Sequence, residues 1–162
     1  MANRKLTPIR GEELVQFNLS HANEVALIAV AREKEVGVDL EWIDRNTPFR
    51  EIAGRFFSAQ EAAALDVLPS HLQKIAFFKC WTSKEAFLKA KSTGLSDKLD
   101  EVEILSIREK GVRIKSAVAD WRLVELDPGD GYAGAVVFEG NEREIQCYLW
   151  HGLKTTCPHR NS

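Results

Sequence analysis

The chain has 162 residues, enough for one domain with a real core, and its 44% hydrophobic and 28% charged content is that of an ordinary globular protein. With 24 acidic against 22 basic side chains the net charge is −2, which excludes a global field drawing in nucleic acid or anionic membrane; any phosphate site must be local. Cys80, Cys147 and Cys157 are odd in number and lack zinc spacing, which fits a reduced cytoplasmic setting, and no segment reads as a signal peptide or a transmembrane helix.

Residues 1–16 read as an extended leader in which Pro8 and Gly11 discourage regular structure. Residues 17–21 (FNLSH) form a short strand, and the near-continuous apolar run 25–31 (VALIAVA) predicts a buried one. After the charged turn 32–35, residues 36–42 return as its hairpin partner. Pro48 opens a helical stretch with Ile52, Ala53, Phe56 and Phe57 on its buried side. Ser58 and Glu61 have the form of a capping box opening a second short helix, which Pro69 stops. Ser70 and Gln73 repeat that signature, and the longest helix runs from there to about Ser92, with Gly94 near its C′ position. Strands are then expected over 102–107, 112–115, 121–126, 132–138 and 145–150, before a loose polar tail. The pattern predicts an α+β fold, a mainly antiparallel sheet packed with one long and two short helices.

The stretch 36–41 (VGVDLE) is the first to suggest chemistry. In a strand Asp39 and Glu41 share a face with Gly37, opposite Val36, Val38 and Leu40. Two carboxylates beside a core must be solvated, paired or bound to a cation. An acidic edge strand and an oxygen-only Mg²⁺ site are both open on these residues alone. On the long helix, Phe78, Thr82, Glu85 and Lys89 fall within a narrow arc, with Trp81 at its edge. Glu85 and Lys89 thus lie where the aromatics place the interior, rather than as a solvated i,i+4 pair. Glu61 is either half of its capping box or a catalytic carboxylate, and His21 a surface histidine or a ligand. The acids Asp97, Asp100, Glu101 and Glu103 read as a solvated face. Asp39, Glu41 and Glu85, with Glu61 as a further candidate, could hold a divalent ion, while Lys84 and Lys89 hold a polyphosphate. Those are the parts phosphoryl transfer needs, and no Gly-rich P-loop is present.

Residues 36–41 (VGVDLE), 55–61 (RFFSAQE) and 81–89 (WTSKEAFLK), in that order, resemble the signature of 4′-phosphopantetheinyl transferases. The resemblance is to the larger type that primes peptide- and polyketide-synthase carrier domains. Residues 17–21 (FNLSH) and 92–95 (STGL) are similar to further family motifs, so the likeness spans residues 17–95. It implies a 4′-phosphopantetheinyl transferase-like fold and an enzyme that moves the phosphopantetheine arm of coenzyme A onto a carrier-protein serine, releasing adenosine 3′,5′-bisphosphate. By motif position Asp39, Glu41 and Glu85 would hold Mg²⁺. Lys84 and Lys89 would contact the phosphates, Lys89 also near the transferred group, with Ser20, His21 and Lys5 toward the nucleotide. Glu61 or Glu85 would deprotonate the incoming serine.

The larger members are built from two similar halves, and this chain resembles a form lacking most of the first. Residues 1–31 are then a remnant of the N-terminal half, 32–152 the transferase domain and 153–162 the tail. A fragment is the expectation, with completion of the cleft by a second copy beside it. Exposure of an edge or an apolar patch on the sheet of residues 25–31, which invites self-association, follows. Expected partners are coenzyme A and an acyl or peptidyl carrier protein, not nucleic acid or membrane. The alternative is a non-catalytic remnant that binds coenzyme A or a carrier protein without turnover.

Overall fold

A computed structural model describes residues 4–6, 14–91, 103–105, 113–115, 121–140 and 145–150. The elements run β1 (Arg4–Leu6), β2 (Val15–Ala22), β3 (Val25–Arg32), β4 (Val36–Trp42), α1 (Phe49–Phe56), α2 (Ala59–Asp66), α3 (Ser70–Ala90), β5 (Glu103–Leu105), β6 (Arg113–Lys115), β7 (Trp121–Leu126) and β8 (Tyr132–Glu139). Among the described residues every strand pairing is antiparallel, within the sheets β1-β2-β3, β4-β8-β7 and β5-β6. The α+β class with one long and two short helices is thus as expected.

Three layers stack around β4. Its odd positions face α3 and its even ones face the β1-β2-β3 sheet. On the helix side Phe77, Phe78, Phe87, Ala86 and Ala90 pack against Ala133, Ala135 and Val137 of β8. Phe77 has ring contacts with Phe49, Phe57, Phe78 and Trp81, tying α1 and the α1–α2 junction to α3. On the other side Val36, Val38 and Val136 pack against Leu27, Ala29 and Ala31 of β3. Gly37 is where the helix comes closest: a Cβ there would lie 2.0 Å from the Ala86 carbonyl oxygen and 2.4 Å from the Ala90 nitrogen.

Several expectations change. The hairpin partner of β3 is β2, while β4 pairs with β8 in a different sheet. The two residues Asn23-Glu24 join β2 to β3, with Asn23 at φ 47°, a conformation asparagine tolerates well. The leader contains β1 and the start of β2, because its backbone finds an edge to pair with. The apolar run of β3 is buried on one face only. Ile28 and Val30 are 67% and 64% exposed, and register places them beside Leu19 and Phe17 on the outer face. The expected apolar patch is therefore present. The Ser70–Gln73 capping box does not form. Pro69 is the N-cap, and the Gln73 amide instead donates to the Asp66 and Leu68 carbonyls and accepts from Arg50. Residues 145–150 are not a strand, and Tyr148, Leu149 and Trp150 stand exposed, so the alternation there has no sheet to pack on. The tail and the acids Asp97, Asp100 and Glu101 lie outside the described residues, as does the side chain of Glu103.

Candidate active site

The site forms at the open edge of β4, where the three layers meet. Among the described residues β4 is paired on one side only, by β8, and Val38 and Leu40 turn their N–H groups outward. Side chains of β2 receive them: Val38 N–H donates to Asn18 Oδ1 at 3.1 Å and Leu40 N–H to Ser20 Oγ at 3.2 Å. Gln16, Asn18 and Ser20 alternate along β2 as a buried polar row, a pattern that would be costly without such partners.

Asp39 is 4% exposed. Its Oδ1 accepts from Ser20 Oγ at 3.0 Å and from the Lys89 ammonium at 2.6 Å. Lys89 also donates to Ser20 Oγ at 3.0 Å and to the Val38 carbonyl at 3.2 Å. Glu85, one helical turn before Lys89, lies on the same side of α3. Burial, then the negative charge of Asp39, push its carboxyl up to about 7, with Lys89 pulling the other way. Glu41 is raised as well, first by burial and next by Asp39, and its carboxylate accepts from the Trp81 side chain. Three carboxyls thus share one electrostatic neighbourhood. Asp39 Oδ2 and Glu85 Oε1 are buried with no hydrogen-bond partner. Among the described residues no three His, Cys, Asp or Glu side chains converge at metal-ligand distance; the Lys89 ammonium stands on Asp39 instead.

The remaining candidates are distributed as follows. Lys84 points elsewhere on α3. Fully buried, it pairs with Glu61 Oε2 at 2.8 Å and lies over the Phe57 ring. Glu61 completes the capping box of α2: its Oε2 accepts from Ser58 N–H at 2.8 Å and its own N–H donates to Ser58 Oγ. The Cys80 thiol also approaches Glu61 Oε1, and burial is the main cause of its raised pKa. His21 is exposed and alternates onto the outer face of β2, away from Ser20. Lys5 is opposite Gln16 in register, and its side chain lies outside the described residues. Two contributors escaped the sequence reading. Trp81 looked like one more core aromatic, and its indole nitrogen was the available signal. Asn18 gave none, because the edge it covers is visible only once β4 is known to pair with β8.

Residues 35–137 match the family model described as the 4′-phosphopantetheinyl transferase superfamily, more than half of the chain. The chain belongs to the 4′-phosphopantetheinyl transferase superfamily. It is 37% identical over 137 residues to 4′-phosphopantetheinyl transferase HetI of a Nostoc species, an alignment covering 82% of this chain and 57% of that protein. To 4′-phosphopantetheinyl transferase psf-1 of Bacillus pumilus it is 42% identical over 81 residues, covering 49% of this chain and 33% of the relative. Among solved structures, the apo-ACPS structure of Chronobacterium ammoiniagenes aligns with 25% identity and a TM-score of 0.46, over 67% of this chain and 98% of that one. The chain thus spans little more than half the length of its curated relative from Nostoc.

Proposed function

We propose that this phosphopantetheinyl transferase-superfamily chain moves the 4′-phosphopantetheine group of coenzyme A onto a serine of an acyl or peptidyl carrier protein, with Mg²⁺. The observation that carries the reading is the gathering of Asp39, Glu41, Glu85 and Lys89 at one edge. The donor set fits a hard divalent ion: it is all oxygen, and two of its buried oxygens have no partner. Asp39, Glu41 and Glu85 would hold the ion, which when bound supplies charge neutralisation to the pyrophosphate oxygens.

In the reaction the serine oxygen bonds to phosphorus, and the bond to the departing adenosine 3′,5′-bisphosphate breaks. Lys89 offers its ammonium to the transferred phosphoryl group. The serine proton goes to Glu85, directly or through water. Glu85 is the proposed base because Glu61 already serves Ser58 and Lys84. Lys84 would act on the phosphates only after leaving Glu61, so its role here is support of α3. By motif position His21 and Lys5 are the residues proposed toward the nucleotide end, while Ser20 bonds inward to Asp39.

The domain reading belongs to the same proposal, with residues 32–152 as the catalytic unit and 1–31 as part of a preceding half. A cytoplasmic setting is supported by the free thiols Cys80 and Cys147 and by the absence, among the described residues, of any helix long and apolar enough to cross a membrane. Self-association is supported by Ile28 and Val30 on the outer face of β3, and Ile28→Lys with Val30→Lys should abolish any dimer seen by sedimentation.

The test is labelling of a carrier protein by fluorescent coenzyme A with Mg²⁺. Asp39→Ala and Glu85→Ala should each abolish it while far-UV circular dichroism is retained. Undiminished labelling by either variant would sink the metal assignment. The Lys89 ammonium seated on Asp39, where the cation would bind, supports a second reading, a chain that binds coenzyme A or a carrier protein without turnover. Calorimetry showing coenzyme A and Mg²⁺ binding beside absent labelling would favour it.

A further inference from the structure

We propose that Ser20 is a positioning residue for the carboxylate site, so that β2 as well as β4 and α3 sets how well the cluster takes a divalent cation; this rests on the transfer reading above. Ser20 is 7% exposed and the capacity of its hydroxyl is fully used. Its one proton goes to Asp39 Oδ1 at 3.0 Å, and its oxygen accepts from Leu40 N–H at 3.2 Å and Lys89 Nζ at 3.0 Å. A nucleotide contact would have to displace one of these three. Motif position points Ser20 outward to the nucleotide, whereas its bonds point inward to the site.

The consequence has a definite sign. Ser20 Oγ and the Val38 carbonyl hold the Lys89 ammonium on the Oδ1 side of Asp39. Oδ2 is thereby left without a partner, the oxygen a cation could take. Without the hydroxyl the ammonium loses one of its restraints and competes for both carboxylate oxygens. Cation affinity should fall. Asn18 supplies an internal control from the same row of β2. It makes the same kind of bond to the edge of β4, to Val38 N–H, but through a backbone group rather than the carboxylate.

The experiment is a Mn²⁺ titration of the whole chain by electron paramagnetic resonance, without coenzyme A or carrier, alongside thermal unfolding and the KM for coenzyme A. Ser20→Ala should weaken Mn²⁺ binding about tenfold, the low end for loss of a group that orients a metal ligand. Ser20→Thr, which keeps the hydroxyl, should restore most of the affinity. Asn18→Ala should lower the melting temperature yet bind Mn²⁺ as the parent does. If Ser20→Ala fails to fold, Ser20→Cys takes its place with the same direction expected, because a thiol is a weak donor and acceptor.

Parental Mn²⁺ affinity in the Ser20 variant overturns the inference, most directly if the KM for coenzyme A rises instead. So does an equal loss of Mn²⁺ affinity in Asn18→Ala, which would mark a general loosening of the edge. No Mn²⁺ binding by the parent chain also overturns it. Mn²⁺ binding with the predicted variant pattern but no carrier labelling refutes the transfer reading alone and leaves Ser20 in its role.

Discussion

Gly37→Ala is the smallest change that should separate the carboxylate strand from the helix serving it. The added methyl carbon would stand 2.0 Å from the Ala86 carbonyl oxygen and 2.4 Å from the Ala90 nitrogen. Both are backbone atoms, so no rotamer change relieves the contact. Reaching ordinary contact requires α3 to retreat by about 1.4 Å at this point. Forcing a methyl into a packed interior costs about 1–3 kcal/mol. For a chain of this size each kcal/mol moves the melting temperature by roughly 2–4 °C, giving a fall of about 2–12 °C. Lys89 sits between the two clashing residues in sequence, and its 2.6 Å contact with Asp39 would open by a comparable distance. Misplacement on the order of 1 Å can cost about 10²-fold in rate. Differential scanning fluorimetry and the carrier-labelling assay read the two effects separately. An unchanged melting temperature together with an unchanged labelling rate would refute this account of how β4 and α3 are matched.

Other perturbations test the surrounding framework. Lys84→Met leaves the Glu61 carboxylate buried opposite a neutral side chain and should cost about 3–5 kcal/mol, while adding Glu61→Leu should recover much of it; urea unfolding of the single and double variants measures both. Ser58→Ala removes the acceptor for Glu61 N–H at the start of α2 and should cost about 1 kcal/mol, read as a fall of roughly 2–4 °C in melting temperature. Glu85 should impose a pH dependence on metal-free stability. The native state holds its proton to about 7 whereas the ordinary value is 4.5, so the folded form binds more protons between those values. Its contribution is fully present below pH 4.5, declines as pH rises through 7 and is flat above. Glu85→Gln should flatten that part of the urea-midpoint profile, and an unaltered profile would count against the buried, carboxylate-crowded setting described for Glu85.

Most of the carboxylate site was legible because it is local. Asp39 and Glu41 follow from strand alternation, and Glu85 and Lys89 from the arc they share with Phe78 on α3. The Ser58–Glu61 cap was equally readable, since its bonds close within three residues. Strand pairing was not. Nothing within residues 25–42 says that β4 will leave β3 and pair with β8, nearly a hundred residues later, because that choice is made by contacts among Val36, Val38, Val136 and Phe138. Lys84 shows the same limit on a helix. Its neighbour Glu85 turns toward Asp39 while it turns toward Glu61, and the partner that fixes its role belongs to another helix. The Ser70–Gln73 signature failed because Arg50 and two carbonyls beyond its own turn compete for the Gln73 amide.

The side chains along the free border of β4 also decide what the strand cannot do. An unpaired strand ordinarily offers a row of donors and acceptors onto which a foreign chain can add, the first step of runaway stacking. Here Asn18, Ser20 and Lys89 occupy the Val38 and Leu40 donors and the Val38 acceptor. An incoming polypeptide finds those three groups already taken. A polypeptide approaching Val38 and Leu40 would have to displace these side chains before it could pair, so this stretch of the edge resists strand addition without a further strand laid against it.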